Sequence, residues 1–481
     1  MRKKFFKLLS LVLALVTCFA LASCGDGGKN SASDDDGESA DGRRILKVEV
    51  LKGGIGETAY REVAQAFMKK HPDVLVKLNF NPNIISTTGS RLDSGNNVAD
   101  VYSYRSIEAI KRWKISGWVE NIDDIYSSTL STGKTVSETM TGNAEAVCTY
   151  REEHVAIPEY THTEGFVYNM SLFEKYGWKV PTTTKGLEDL CKQILKDTNN
   201  KVAPIVYCGA AADGYLYYGE ENWNYQYSGI ADLDKFYSYE NAEVFNPANS
   251  QGKLLGLKAL KKFFFDNVGT YTMAKSEGKD HFDAQTNVIL GEAAMMLNGS
   301  WFMTENAKIL AEVPDTKIGM FPVPQLSDDD GNILHSPTYT TIDDKRVIQG
   351  EYAAYWFIPS MAANKSDAKE FLKFLSEPDS CALYTGTSNN IRPFDYEKDP
   401  SADVYKDMTS FGKSVLTINA ENYVYAPNVT SDIAIKGLTG YWARGSWPYN
   451  KVKNGEETPE QVIQKDYDYA KTNWSRFLGM V

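Results

Sequence analysis

The order of patterns along the chain predicts an α/β protein with a parallel sheet, and three observations carry that expectation. First, Ile45-Leu46-Lys47-Val48-Glu49-Val50 alternates apolar and charged residues, as a strand entering a sheet does. Second, Gly53-Gly54-Ile55-Gly56 makes a turn, and Ala59, Val63, Ala66 and Phe67 then follow at helical spacing. Pro72-Asp73 stops that run before a second strand, Val74 to Leu78, so the segment reads as a βαβ unit. Third, the alternation of strand and helix patterns continues to the C-terminus without an internal repeat. The glycine turn has neither the GxGxxG nor the GK[ST] spacing, so it is not expected to cradle phosphate.

The later elements follow in order. Ala99-Asp100-Val101-Tyr102 reads as a strand, and Ile107 to Ile115 as a helix that ends at Gly117. Val155-Ala156-Ile157-Pro158 precedes another strand, Gly165 to Tyr168. Leu172 to Tyr176 is a short helix closed by Gly177, and Pro181-Thr182-Thr183 opens a helix from Gly186 to Leu195. Strands recur at Val202 to Cys208 and Lys317 to Phe321. A long helix is expected over Gly252 to Phe265, with two more over Ala368 to Leu375 and Pro459 to Phe477. Tyr355 and Trp356 fall in an apolar run that reads as a buried strand. Asp328-Asp329-Asp330-Gly331 lacks the alternating acids and downstream Glu of a calcium loop and reads as an exposed turn.

Composition narrows the function. The 481 residues are enough for roughly two or three domains. With 42% hydrophobic residues the chain is neither a polytopic membrane protein nor disordered. A net charge of −12 argues against nucleic acid as the main partner, because phosphate backbones draw a Lys and Arg surplus. Tyr, at 29, outnumbers Phe, at 21, which suits a wet ligand gripped by flat rings with polar tips.

The N-terminus reads as an export segment. Arg2, Lys3, Lys4 and Lys7 precede an apolar run from Leu8 to Leu21, which at 1.5 Å per residue spans about 21 Å, short of a bilayer core. Leu21-Ala22-Ser23-Cys24-Gly25 resembles a bacterial lipobox, which implies that Cys24 becomes a lipidated N-terminus on the extracellular face of the cytoplasmic membrane. Removing residues 1–23 removes four positive charges and no acid, moving −12 to −16. Residues 24–44 carry no large apolar side chain and form a solvated tether. Cys148, Cys191, Cys208 and Cys381 remain, and three pairings of them are open. The five His are scattered, with no zinc-like spacing, and no metal or cofactor is expected.

Five groups of residues then carry a family resemblance. They are Phe67-Met68-Lys69-Lys70-His71-Pro72; Ala99-Asp100-Val101-Tyr102 with Gly117-Trp118-Val119-Glu120-Asn121; Ala156-Ile157-Pro158, Val167-Tyr168-Asn169, Phe173-Glu174-Lys175-Tyr176-Gly177 and Pro181-Thr182-Thr183; Gly291-Glu292-Ala293-Ala294-Met295-Met296, Asn298-Gly299-Ser300-Trp301 and Phe321-Pro322-Val323-Pro324; and Ile358-Pro359, Asn364-Lys365 and Glu370-Phe371-Leu372. In this order the chain resembles, from Ile45 to its end, the extracellular solute-binding lipoproteins of ABC transporters, in their maltose-binding-protein-like carbohydrate family. The resemblance implies two α/β lobes joined by three hinge crossings, near His162-Thr163, Gly350 and Asn390-Arg392. Lobe 1 would comprise 45–162 plus 350–389, and lobe 2 would comprise 163–349 plus 390–481. It also implies permease subunits of an ABC importer as partners, and a mechanism of binding and closure with no catalytic residue.

A sugar offers hydroxyls at its edge and a C–H-rich face, so its site wants aromatic platforms and planar polar groups. The resemblance places Trp301, after a Gly-Ser step, and Tyr104 at positions where the family stacks an aromatic on the ligand. Trp223, in a Tyr-rich loop with Tyr215, Tyr217, Tyr218, Tyr225 and Tyr227, lies roughly where relatives carry another, with Asn222, Glu220 and Glu221 beside it. His162 stands at a hinge position where the family has a carboxylate. Gly54 replaces an acidic ligand residue, which leaves the backbone or Glu57 to supply the first-turn contact. Arg392 and Trp442 complete the candidates. The expected ligand is an oligosaccharide. Two other readings stay open, a binding protein for a non-sugar solute and a tethered glycoside hydrolase, which would need two carboxylates flanking the scissile bond. A surface adhesin or sensor on the same fold is a third.

Overall fold

The computed structural model describes residues 39–51, 56–210, 213–427 and 448–479. The export segment, Cys24 and Trp442 lie outside the described residues. The strands are β1 (Arg44–Leu51), β2 (Val74–Asn81), β3 (Val101–Tyr104), the small hairpin β4 (Thr149–Tyr150) and β5 (Glu153–His154), β6 (Ile157–His162), β7 (Glu164–Asn169), β8 (Ala203–Ile205), β9 (Ala293–Gly299), β10 (Ile318–Phe321), β11 (Val347–Gln349), β12 (Glu351–Phe357) and β13 (Tyr423–Tyr425).

The predicted βαβ unit is present. β1 and β2 run parallel from Arg44↔Val74 to Leu51↔Asn81, and the helix Thr58–Lys70 between them buries Ala59, Val63 and Phe67. β3 joins β1 in parallel, but β12 then pairs antiparallel with both β3 and β6, giving the order β2-β1-β3-β12-β6. The second sheet, β10-β7-β9-β8, is mostly antiparallel, with β8 alone parallel to β9. The expected parallel sheet is therefore mixed. Its departures arise where the chain returns from one sheet to the other, because a returning strand enters the sheet from the opposite end.

The two sheets make a two-lobed α/β molecule, with one buried cluster on one face of the second sheet and a larger one that runs from the first sheet onto the second sheet's other face. The chain passes between them at Thr163, where β6 of one sheet gives way to β7 of the other, and again at Gly350, just before β12. Farther on, the helix Pro378–Ser388 packs on Thr58–Lys70 beside the first sheet, whereas Ser410–Glu421 packs on β10 of the second. The segment Asn389–Arg392 between them is bridged to the first passage through Thr161↔Ile391. In the second sheet a Cβ on Gly165 would sit 2.4 Å from the Phe321 carbonyl oxygen, so glycine is what lets β7 and β10 approach.

Tyr355 and Trp356 are buried in β12, as their apolar run predicts. The Asp328 turn is exposed and closed by Asp328, which accepts from the Asp330 and Asn332 amides. The helix expected over 252–265 is α-helical only at Gln251–Leu260 and widens into a π turn at Lys261–Phe265, where Phe263 and Phe264 are both buried. The strand expected to reach Cys208 shortens to Ala203–Ile205, an edge strand. The Tyr-rich stretch is no loop. It belongs to the helical segment Asp213–Ser238, broken at Gly229, and its tyrosines fall at helical rather than random spacing. Cys148, Cys191, Cys208 and Cys381 are all buried and unpaired, which closes the question of their pairing.

The helix Ile107–Ile115 carries a lysine on its inner face. Lys111 is fully buried, and burial draws its ammonium down to about 8. An unfolded lysine holds its proton to about 10.4. Between these values the unfolded chain binds a proton that the folded chain has released, so folding stability contributed by Lys111 rises with pH across that window. The difference in unfolding free energy between wild type and Lys111→Met is expected to shift toward the wild type by about 2 kcal/mol from pH 8 to pH 10. Denaturant titrations at the two pH values check this, and a pH-independent difference would refute it.

Candidate functional site

The first passage between the sheets builds the site. His162 ends β6, Glu164 begins β7, and the antiparallel register of β6 with β12 sets Glu351 directly opposite His162. On the other side, β7 pairs with β9 so that Glu164 faces Gly299. The Ser300 amide donates to the Thr163 carbonyl at 2.9 Å, which brings Trp301 up against the passage. A Cβ on Gly299 would lie 2.1 Å from the Trp301 ring, so this indole folds back over a residue that has to be glycine. The Asn-Gly-Ser-Trp sequence thus has a local physical reason.

Trp301 gathers an aromatic wall. Its ring meets His162 edge-on at 4.7 Å, Tyr218 at 5.5 Å and Tyr215 at 6.2 Å, and the indole N–H donates to the Tyr215 hydroxyl at 3.4 Å. Tyr160 lies 5.3 Å from His162 on its other side. Burial among these rings, with the Arg105 charge nearby, pulls the His162 imidazole down to about 3, so it is neutral at pH 7.

Acidic groups sit beside the wall. Glu164 is 1% exposed, and neither of its carboxylate oxygens has a hydrogen-bond partner. Burial, reinforced by the Glu351 charge, pushes the Glu164 carboxyl well above the usual carboxylate range. A ligand atom from each of His162, Glu164 and Glu351 lies within 4.8 Å of the others. Burial and the same two carboxylates raise the Tyr218 phenol. Flat rings next to carboxyl groups can take a ligand with an apolar face and hydroxyls at its edge.

Among the described residues singled out from sequence, the structure brings Trp301 and His162 together and places Tyr104, Trp223, Asn222, Arg392 and Glu57 elsewhere. Tyr104 is buried in β3, with its ring on Trp113 at 4.8 Å and its hydroxyl donating to the Ile85 carbonyl at 3.0 Å. Trp223, 0% exposed, is a core residue and not a wall residue. It stacks over Phe263, and its N–H donates to the Pro324 carbonyl at 2.8 Å. Asn222 is also buried, donating to the Tyr218 carbonyl at 2.9 Å and accepting from the Gln349 amide at 3.2 Å. It fastens the helix to β11. Glu220 and Glu221 are internal as well, the first accepting from Tyr449 and the second paired with Lys253 at 3.2 Å. Arg392, 1% exposed, gives its guanidinium to the Glu159 and Leu375 carbonyls. Glu57 pairs with Arg61 at 2.5 Å at the start of its helix. Burial explains the placement of Tyr104, Asn222, Trp223 and Arg392, since a polar or aromatic side chain at an inward position must find its partner inside.

Glu164, Glu351, Tyr215 and Tyr218 are the residues that sequence reasoning did not assign to the site. A signal for the two acids was present. Each stands within a residue of a predicted crossing, and Glu164 opens a run that is otherwise Gly-Phe-Val-Tyr.

The family model for bacterial extracellular solute-binding proteins matches residues 53–380, most of both sheets and the whole wall. The chain belongs to this family. Among curated proteins, this solute-binding protein is 21% identical over 434 residues to the melibiose/raffinose/stachyose-binding protein MelE of Bacillus subtilis, covering 85% of this chain and 88% of that one. Among solved structures it resembles the apo form of RafE from Streptococcus pneumoniae, with a TM-score of 0.64 and 17% identity over 89% of this chain and 97% of the other. An ABC substrate-binding protein from Listeria monocytogenes in complex with cycloalternan gives a TM-score of 0.59 at 18% identity, over 90% of this chain and 99% of that one. At these identities the structural likeness concerns the fold.

Proposed function

We propose that this chain is the substrate-binding lipoprotein of an ABC importer, which captures an oligosaccharide between its two lobes and hands it to the membrane permease. The observation that carries the reading is the wall of Trp301, Tyr218 and Tyr215 at the passage between the sheets, next to the unpartnered carboxyl oxygens of Glu164. Such a wall offers stacking area to a sugar's C–H face and acceptors to its hydroxyls. MelE is named for melibiose, raffinose and stachyose, and several of the similar structures are named for or in complex with such sugars, which favours that ligand class.

Lobe 1 is assigned to 45–162 plus 350–389 and lobe 2 to 163–349 plus 390–481, in keeping with the membership of the two sheets. Thr163, Gly350 and Asn390 then act as the hinge, and a ligand stabilises the closed form only by binding it better than the open one. Cys24 carries the lipid that holds the body outside the cytoplasmic membrane. The protein binds and releases without a covalent step.

A calorimetric screen of the full-length chain against raffinose, stachyose, melibiose, maltooligosaccharides and xylooligosaccharides tests the reading. Saturable binding of at least one sugar, with the sugar recovered intact, is expected. Hydrolysed sugar would establish the glycosidase reading instead, and failure of every sugar alongside binding of a peptide or polyamine would overturn the ligand class.

A further inference from the structure

Glu164 poses a problem that a neutral sugar does not solve. Its carboxylate is buried with both oxygens unpartnered, and a second carboxylate, Glu351, comes within 4.8 Å. A buried polar group is costly unless it finds hydrogen-bond partners or binds a metal, and neither Glu164 oxygen has a partner. A sugar hydroxyl can donate one hydrogen bond but brings no positive charge. The cation in the vicinity, Arg105, acts on Glu351, Tyr160 and His162, and no hydrogen bond reaches Glu164 from it.

The third member of the cluster is an imidazole. His162 and Glu351 are register partners across β6 and β12, and Glu164 follows His162 by two residues on the next strand, so three different backbone positions converge on one point. An uncharged imidazole keeps one ring nitrogen with a lone pair for a ligand, and a ring nitrogen of His162 stands in the cluster with the two carboxyl groups. The contrast with His154 is informative. That ring has Asp123 at 2.6 Å on Nδ1 and Glu145 at 3.1 Å on Nε2, so both its nitrogens are committed.

We propose that His162, Glu164 and Glu351 form a binding site for a divalent transition-metal ion at the junction of the first two interlobe passages. One imidazole with two carboxylates suits zinc or manganese better than magnesium, which prefers oxygen and water. Ligand atoms about 2.1 Å from a tetrahedral zinc stand about 3.4 Å apart, so the cluster has to contract by roughly 1 Å, a side-chain adjustment. The bound ion neutralises Glu164 and ties the passage at Thr163 to the one at Gly350, stiffening the hinge beside the sugar wall.

The test is a calorimetric titration of the full-length chain, stripped with EDTA and free of sugar, with zinc chloride and separately with manganese and magnesium chlorides. One zinc per chain is expected, with magnesium far weaker. Glu164→Gln and Glu351→Gln, both isosteric, should each weaken zinc at least ~10-fold while far-UV circular dichroism stays unchanged, and His162→Gln should do the same. Absence of saturable zinc binding overturns the proposal. So does zinc binding that survives Glu164→Gln and Glu351→Gln within twofold, or that disappears only with His154→Gln, because the ion then sits elsewhere. Since no sugar is present, such a failure removes the metal site and leaves the carbohydrate reading to its own screen.

Discussion

Trp301→Ala is expected to weaken the oligosaccharide found in the screen by about 10- to 100-fold. Stacking by an aromatic ring contributes ~0.5–1.5 kcal/mol beyond the area it buries. Apolar burial at ~25 cal/mol per Å² adds about 1 kcal/mol or more for the part of the indole that a sugar covers. Together these make about 1.5–3 kcal/mol, and each 1.4 kcal/mol is about tenfold in affinity. The indole also braces Tyr215, Tyr218 and His162, so its removal loosens the neighbouring rings as well. Trp301→Phe keeps a flat ring but loses the N–H to Tyr215 and should fall between wild type and Ala. Calorimetry on both variants, with melting temperatures to confirm folding, is the measurement. An affinity within twofold of wild type for Trp301→Ala would remove the wall from the site.

Arg392→Met is expected to destabilise the fold by about 2–5 kcal/mol, the cost of leaving two buried carbonyls without their charged donor. The guanidinium is sealed in the interior. It donates to the carbonyls of Glu159 and Leu375 and lies 5.4 Å from the Tyr384 ring and 5.3 Å from the Phe394 ring. Nearby, the Glu159 carboxylate is buried, held by the Ser103 hydroxyl and by Tyr384 at 3.1 Å. Burial raises this carboxyl, while the Ser103 and Tyr60 hydrogen bonds and the Arg392 charge lower it. Without Arg392, two carbonyls and a carboxylate lose their cation together, and methionine fills the space without satisfying them. Differential scanning calorimetry should show a fall in Tm of about 5–10 °C, since ~1 kcal/mol moves a large domain by a few degrees. Arg392→Lys, which keeps charge but not the two-pronged donor geometry, should lie between. A variant that melts normally yet loses sugar would return Arg392 to the ligand.

What could be read from the sequence divides by the range of the physics involved. Alternation in Ile45–Val50 and helical spacing in Ala59–Phe67 are local, and both elements form where expected. The direction of β12 is not local. It is set by where the chain re-enters the first sheet, some two hundred residues after β6 left it, and no short window contains that information. The site divides in the same way. Trp301 was legible because Gly299-Ser300-Trp301 is a local device, and His162 because it stands at a passage. Trp223 and Arg392 carry side chains that suit a sugar equally well, but their direction depends on helix phase and on partners such as Pro324 and Leu375, remote in sequence. Glu164 was passed over because the start of an apolar strand is an unpromising place for a carboxylate, which is also why its burial there is informative.

The four buried, unpaired thiols bear on what holds the protein together. Burial raises Cys148 and Cys208 to about 12 and raises Cys191 and Cys381 as well, so thiolate, the form that attacks disulfides and oxidants, is scarce at every one of them. In the described body, then, no disulfide joins one element to another, and packing and hydrogen bonds hold it together. An oxidant or reductant that reaches the folded body meets no cross-link to break and little thiolate to attack.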